Sequence, residues 1–281
     1  MRFFKYHALG NDYIVLDVQG WPAELDAGTI RRICDRHRGI GSDGILRGAV
    51  DEDGALALRI FNPDGSEAEK SGNGIRIYAR YLWDTGRVTT EPFDLDTRGG
   101  RVRCEVLDNG GQVRVEMGRV SFDAAQIPVA GMAGEVLNRT IEVGAQTLTF
   151  CAATVGNPHC IILCDQISSE LAHALGPLLE GHAYFPHRTN VQFLCVIDDA
   201  HIAIEIWERG AGYTLASGTS SVAAAAVAHR LGRCGNLIDV AMPGGHLSVA
   251  FGADFQATLT GPVTPVFDGV TRDDWLVDWR D

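Results

Sequence analysis

The chain contains no apolar stretch long enough to cross a bilayer. Its opening residues, Met1-Arg2-Phe3-Phe4-Lys5-Tyr6, lack the apolar core of a secretory signal, so a cytoplasmic protein is the expectation. Positive charge is scarce: 24 Lys and Arg stand against 36 Asp and Glu, a formal net charge of −12 without long like-charge runs. Nucleic acid and anionic membrane would be repelled, and neither is expected as a partner. Cys and His pairs at ligand spacing are missing, as are a phosphate-cradling loop and a lysine setting suited to a Schiff base, so neither a metal nor any other cofactor is expected. Gly39-Ile40-Gly41-Ser42-Asp43-Gly44 carries the three glycines of a dinucleotide loop. That motif needs a buried strand before it and a helix after it; here a charged run precedes and strand-like Ile45-Leu46 follows. The seven cysteines are an odd set in a chain too large to need disulfide staples, so reduced thiols are expected. Cys160 and Cys164 lie in one apolar run at a spacing that puts both sulfurs on one strand face, as core residues.

What is present is a folded core, with 46% hydrophobic residues over 281 positions, and a repeated spacing. Ser71-Gly72 and Ser217-Gly218 lie 146 residues apart; so do Gly10-Asn11 and Gly156-Asn157, and so do Gly86 and Gly232. One long offset shared by three features predicts two copies of a structural unit. The run after Ser71 places Ile75, Tyr78, Ala79 and Leu82 on one helical face. Its counterpart, Val222-Ala223-Ala224-Ala225-Ala226-Val227-Ala228, is apolar all round and should be buried all round, with sheet wrapped closely about it. A further helix is expected over 27–37, strands over 13–17, 56–61, 102–106, 113–117 and 148–153, and a tight turn at Asn62-Pro63-Asp64-Gly65. The lobes divide as 1–118 plus about 265–281, and 119–264, with the last element crossing back to the first lobe.

A serine opening a helix gathers backbone N–H groups around one point, backed by the positive end of the helix dipole; such a point binds an anion. Taken singly, Ser71 and Ser217 are ordinary N-caps, a position serine favours. Their shared offset and flanking glycines favour a site. Two matched half-sites suit a reaction that treats both faces of one carbon alike.

Seven blocks in order resemble the cofactor-independent diaminopimelate epimerases and their amino-acid racemase relatives, over nearly the whole chain: His7-Ala8-Leu9-Gly10-Asn11-Asp12; Arg36-His37-Arg38-Gly39-Ile40-Gly41-Ser42-Asp43-Gly44; Asn62-Pro63-Asp64-Gly65-Ser66-Glu67; Ser71-Gly72-Asn73-Gly74; Gly156-Asn157-Pro158-His159; Thr189-Asn190-Val191; and Trp207-Glu208-Arg209-Gly210-Ala211-Gly212. The resemblance implies an α/β (α+β) fold of two pseudosymmetric lobes, each a curled, mostly antiparallel sheet around a central helix, with the active site in the cleft between them. It implies catalysis at positions 71 and 217, assisted by His159 and Glu208. Substrate would be held by Asn11, Asn62, Asn73, Asn157, Asn190 and Arg209, and by the backbone amides of Gly72, Asn73, Gly218 and Thr219. Asn62 and Asn11 also have plain roles as turn former and cap.

The chain departs from that family at the reacting atoms. Where the family has Cys-Gly twice, this sequence has Ser71-Gly72 and Ser217-Gly218; Tyr213 stands where Glu is usual, and Gly44 where some members have Gln. A thiol titrates near ~8.5 and a serine hydroxyl several units higher, more than a helix dipole of ~1–2 kcal/mol offsets. The serines therefore need partners, for which His159 and Glu208 are the candidates. An epimerase or racemase of a small-molecule amino acid follows, with LL- to meso-diaminopimelate as first choice. Another amino acid, a phenazine-type proton-shift isomerase using Glu208, a binder without chemistry, and an epimerase inactivated by exchange of its cysteines stay open, as does a homodimer.

Overall fold

The computed structural model describes residues 1–16, 21, 24–50, 55–272 and 275. Asp17, expected at the end of a strand, and residues 273–274 and 276–281, assigned to the first lobe, lie outside the described residues. The chain divides into two compact units, Met1–Val115 with Gly261–Asp281, and Glu116–Thr260. Its first elements are β1 (Arg2–Ala8), β2 (Asn11–Leu16), α1 (Ala27–Cys34), β3 (Ile45–Val50), β4 (Leu56–Phe61), β5 (Glu67–Ala68), α2 (Gly72–Asp84), β6 (Phe93–Thr97), β7 (Gly100–Leu107) and β8 (Gln112–Arg119). There follow β9 (Arg139–Val143), β10 (Gln146–Thr154), β11 (Pro158–Leu163), α3 (Ser169–Glu180), β12 (Asn190–Val196), β13 (His201–Glu208), β14 (Gly212–Thr214), α4 (Gly218–Arg230), β15 (Leu237–Met242), β16 (Gly245–Phe251), β17 (Gln256–Pro262) and β18 (Thr264–Val270).

In the first unit β1 pairs antiparallel with both β18 and β2, β2 runs parallel to β3, and β3–β4 is antiparallel. β4 then runs parallel to β6, and β6–β7 and β7–β8 are antiparallel. The second unit repeats this sense for sense: β10 pairs antiparallel with β9 and β11, β11 is parallel to β12, β12–β13 antiparallel, β13 parallel to β15, and β15–β16–β17 antiparallel. α2 and α4 begin and end 146 residues apart. Each sheet is mixed but mostly antiparallel, and each packs one helix against the strands on either side of it, α2 on β1, β2, β3, β4 and β7, α4 on β10 through β13, β15 and β16.

Why the two central helices differ follows from their residues. Ser220 through Ala228 are all fully buried, and small alanines let the strands close around α4 from every side. α2 instead buries Ile75, Ile77, Tyr78, Tyr81 and Leu82. The larger side chains need space in the sheet: a Cβ on Gly48 would lie 2.1 Å from the Tyr78 hydroxyl. The opposite face of each sheet carries the other helix. α1 covers Phe3, Ile14, Leu16, Ile45 and Phe61; α3 covers Phe150, Cys160, Ile162, Val191 and Phe193. Cys160 is core and Cys164 is partly buried against the same cluster, and all seven cysteines are free thiols.

The helix expected over 27–37 stops at Cys34. Asp35 turns extended and its carboxylate accepts the N–H groups of His37 and Arg38, 2.8 Å each, so a local turn wins over further helix. The glycine run that follows folds back, with Ile40 and Gly41 donating to the Ile33 carbonyl and Ser42 to that of Cys34. These bonds close the helix C-terminus. Among the described residues no helix is long and apolar enough to cross a membrane.

Candidate active site

Ser71 holds the extended geometry of an N-cap, φ −140° and ψ 116°, and its Oγ accepts the Gly74 N–H at 3.1 Å. A cap of this kind contributes about 1 kcal/mol. The first turn of α2 presents the amides of Gly72 and Asn73 at the positive end of the dipole. Asn73 is buried and donates to Asn11 Oδ1 at 3.0 Å; Asn11 donates in turn to Asp43 Oδ2 at 3.0 Å. Behind Asn11 stands an ion-pair network. Arg36 bridges Asp43 (2.6 Å) and Asp12 (2.7 Å), and Lys5 reaches Asp12 at 2.8 Å. Burial pushes the Asp12 carboxyl up, but the Arg36 and Lys5 cations outweigh it and hold it at about 2. The chain of bonds fixes which way the Asn11 amide points, and with it the loop facing α2. Sequence reasoning assigned no role to Lys5, Asp12, Arg36 or Asp43, although three of them lie inside the matching blocks.

Asn62 is spent on its own turn. Its amide donates to Ser66 Oγ at 2.9 Å, its carbonyl accepts the Gly65 N–H at 3.0 Å, and Gly65 takes a φ of +93°. The turn-forming role is the one these bonds describe.

The second half-site is built on the same plan with other side chains. Ser217 is again extended, φ −146° and ψ 122°, and 4% exposed, but its Oγ makes no capping bond; its carbonyl accepts both the N–H and the hydroxyl of Ser221. Gly218 and Thr219 supply the first-turn amides. Asn157 donates to Thr219 Oγ1 at 3.4 Å, the counterpart, 146 residues on, of the Asn11–Asn73 pair. His159 Nε2 lies 3.0 Å from Asn157 Oδ1. Since that oxygen only accepts, the proton sits on Nε2 and the neutral ring leaves Nδ1 bare. Nδ1 meets no donor among the described residues, Ser217 included. Burial pushes the imidazole down to about 3, with the Gln192 amide opposing in part. So weak a base is poorly matched to taking a serine proton near pH 7; its geometry instead orients Asn157. Gln192, fully buried, donates to Ser220 Oγ on α4 at 2.9 Å.

Asn190 ties two strands and a loop together, donating to the Pro158 carbonyl and accepting the Arg209 N–H, both at 3.0 Å. Arg209 Nη1 reaches the His187 carbonyl at 3.4 Å. Glu180, at 5% exposure, anchors the same loop through Gly210 N–H and Trp207 Nε1, 2.8 Å each, and pairs with Arg188. Alternation along β13 puts Glu208 on the face of buried Ile206, Ile204 and Ile202, the face toward α4. Tyr213 is on the other face. It pairs across strands with Trp207, its ring centroid is 4.6 Å from that of His173 on α3, and its hydroxyl donates to Glu205 at 2.7 Å, with burial foremost in pushing the phenol up to about 12. The expectation that Tyr213 alters the reacting centre is corrected: this departure belongs to the packing of α3. Among the described residues no three His, Cys, Asp or Glu side chains gather to hold a metal ion.

The family model described as diaminopimelate epimerase matches residues 3–122 and 151–266. Diaminopimelate epimerase 2 of Nostoc sp. is 55% identical over 270 residues, covering 96% of this chain and 95% of that protein. Diaminopimelate epimerase of Moorella thermoacetica is 38% identical over 275 residues, covering 96% and 98%. Among solved structures, a probable proline racemase of Agrobacterium radiobacter K84 superposes with a TM-score of 0.69 at 18% identity, covering 97% of this chain and 93% of that one. A phenazine biosynthesis protein of the PhzF family from Bacillus anthracis gives 0.67 at 16%, covering 97% and 99%. These two likenesses show the fold alone.

Proposed function

We propose, from the premise that this chain belongs to the diaminopimelate epimerase family, that it inverts the α-carbon of an amino acid by proton transfer without a cofactor, LL-diaminopimelate to the meso form being the first substrate to test. The observation that carries this reading is the doubled half-site: two buried or part-buried serines in matching cap geometry, each followed by a glycine amide and each backed by an asparagine 60 residues upstream of the cap, Asn11 and Asn157. The first-turn amides would hold the α-carboxylate, and Arg209 the distal one. One group must then take the α-proton and another return a proton to the opposite face. At Ser217 the acceptor would be Glu208, which strand alternation puts on the face of β13 toward α4; the neutral, buried His159 is the weaker base.

The test follows deuterium from D2O into the α-position of LL-diaminopimelate, together with its chirality. Exchange with inversion supports the reading; exchange at an allylic position in a phenazine precursor would replace it with a proton shift; binding without exchange would leave an amino-acid cradle. Ser71→Cys with Ser217→Cys should raise the rate by at least two orders of magnitude, since a thiol is several units more acidic than a hydroxyl at ~1.4 kcal/mol per unit.

A further inference from the structure

We propose that Tyr13 is the proton relay of the α2 half-site, working through Ser71, so that a hydroxyl and a phenol together replace a thiol. The inference rests on the epimerase reading and names the group that it leaves open on this side. Tyr13 Oη lies 3.4 Å from Ser71 Oγ, and either can donate. The ring is 7% exposed, in a strand whose register against β1 fixes its position opposite Tyr6. Position 13 is also the counterpart, 146 residues back, of position 159, so the phenol stands where the other half carries its imidazole. Finally, Gly44 makes room for it: a Cβ there would lie 2.6 Å from Tyr13 Cε1 and 2.6 Å from the Phe61 carbonyl oxygen. The glycine at position 44 and the tyrosine at 13 are thus one coupled feature.

The chemistry balances without any further reactant. Ser71 Oγ takes the α-proton as its own hydroxyl proton passes to the Tyr13 phenolate. The C–H electron pair stays on the substrate carbon, and Tyr13 ends as a neutral phenol. In the opposite direction the phenol proton returns through Ser71 to the carbanion. A phenol near ~10 is within about two units of a thiol, where a bare alkoxide is not. The Gly74 N–H occupies only one acceptor site on Ser71 Oγ, leaving the hydroxyl proton for Tyr13.

Two buried or half-buried cations belong to α2 and the residue before its cap. Arg76 is fully buried, donates from Nη1 to the Gly72 carbonyl at 3.1 Å, and its Nε and Nη2 meet no acceptor among the described residues. Burial pushes the guanidinium down to about 9, which leaves it charged at pH 7. The carboxylates of the neighbouring network, Asp12 and Asp43, are already paired with Lys5 and Arg36. Lys70, next to Ser71, adds a second cation, pushed down by burial and raised by Cys104 on β7. The α4 half has Val222 at the position matching Arg76, and Glu208 at the position matching Asn62. The two halves therefore differ in charge, a buried cation on the helix of one and a carboxylate at the end of β13 in the other.

The experiment is a double-mutant cycle read by α-deuterium exchange on LL-diaminopimelate. Tyr13→Phe should lower exchange at least 100-fold in the native chain and less than threefold in the Ser71→Cys chain, because a thiol needs no relay. Site-specific 3-fluorotyrosine at position 13, a more acidic phenol, should move the limb of the pH–rate profile where exchange rises with pH to lower pH; it also serves if Tyr13→Phe does not fold. Equal losses in both backgrounds, no loss in either, or an unmoved limb overturn the proposal, as does exchange confined to chains with cysteine at 71. Exchange absent even from the Ser71→Cys, Ser217→Cys chain sinks the epimerase reading itself, and the relay with it.

Discussion

Replacing Arg76 by Met should make the protein more stable and less active. Burial alone pushes the guanidinium down from its ordinary value to about 9, which at ~1.36 kcal/mol per unit is on the order of 5 kcal/mol against the charged form in the folded state. The sign is that of a base whose folded value lies below its unfolded one: the charged group disfavours folding at every pH below about 9, and relief comes only as pH rises past that value toward the ordinary guanidinium range. Methionine removes that penalty and forfeits one charge-assisted bond to the Gly72 carbonyl, worth about 2 kcal/mol. The balance is a gain of about 3 kcal/mol, in line with the ~1–4 kcal/mol seen when unfavourable buried charges give way to apolar side chains. Urea unfolding at pH 7 measures it as a midpoint shift of roughly 1 M or more at unchanged slope. Activity should move the other way. A unit charge about one helical turn (~5.4 Å) from an anion, at an effective dielectric near 20, contributes about 3 kcal/mol, so exchange should fall by roughly 100-fold. A midpoint that falls at constant slope refutes the reasoning, because the guanidinium would then be contributing a satisfied partner.

Two further perturbations read other parts of the same site. His159 has a folded value of about 3 against 6.5, so its neutral form adds nothing at pH 7, and stability drains as pH falls from about 6.5 to 3 with a slope approaching 1.4 kcal/mol per unit. His159→Gln should flatten that slope in pH-dependent urea melts; an unchanged slope would mean that another group titrates there. Gly44→Ala introduces the Cβ that meets the Tyr13 ring at 2.6 Å and should mimic Tyr13→Phe, lowering exchange while Ser71→Cys restores it. A Gly44→Ala chain with native exchange would separate the glycine from the tyrosine.

The doubled spacing was legible because backbone-determining residues carry it. Ser71 and Ser217 cap helices whose ends match to the residue, and the all-apolar run at 222–228 could be satisfied only by burial on every side. What the sequence hid was decided by contacts across elements. Arg76, between Ile75 and Ile77, has the spacing of a side chain that snorkels from a helix edge; only the closure of β-strands on α2 leaves it fully enclosed. Tyr13 reads as one more apolar residue of a strand until the Ser71 hydroxyl is found beside it. Tyr213 misled for the opposite reason: its place in the motif suggested the centre, while strand alternation, which turns every second side chain to the other face, sends it to α3. The helix expected to run to His37 was stopped by one carboxylate, Asp35, whose preference for its own backbone a hydrophobic periodicity does not register.

On the proposed reading, duplication lets each half keep its backbone plan while the side chains at the reacting positions differ. The two sheets share every pairing sense, and Ser71 and Ser217 share an extended backbone geometry at the helix starts, so the first-turn amides that would hold a carboxylate on that reading are placed by topology and do not depend on which side chains surround them. Side chains at matching positions are then free to differ: Tyr13 against His159, Asn62 against Glu208, Asn73 against Thr219, Arg76 against Val222. Each of the first, second and fourth substitutions changes what a proton meets. On that reading a phenol in one half and a carboxylate in the other hold their protons at different free energies, so the two hydroxyls, chemically identical in isolation, are not equivalent in place. Initial rates of solvent deuterium capture should therefore differ between the two directions of inversion in the native chain, and Arg76→Met should narrow the difference by removing the charge from one side only.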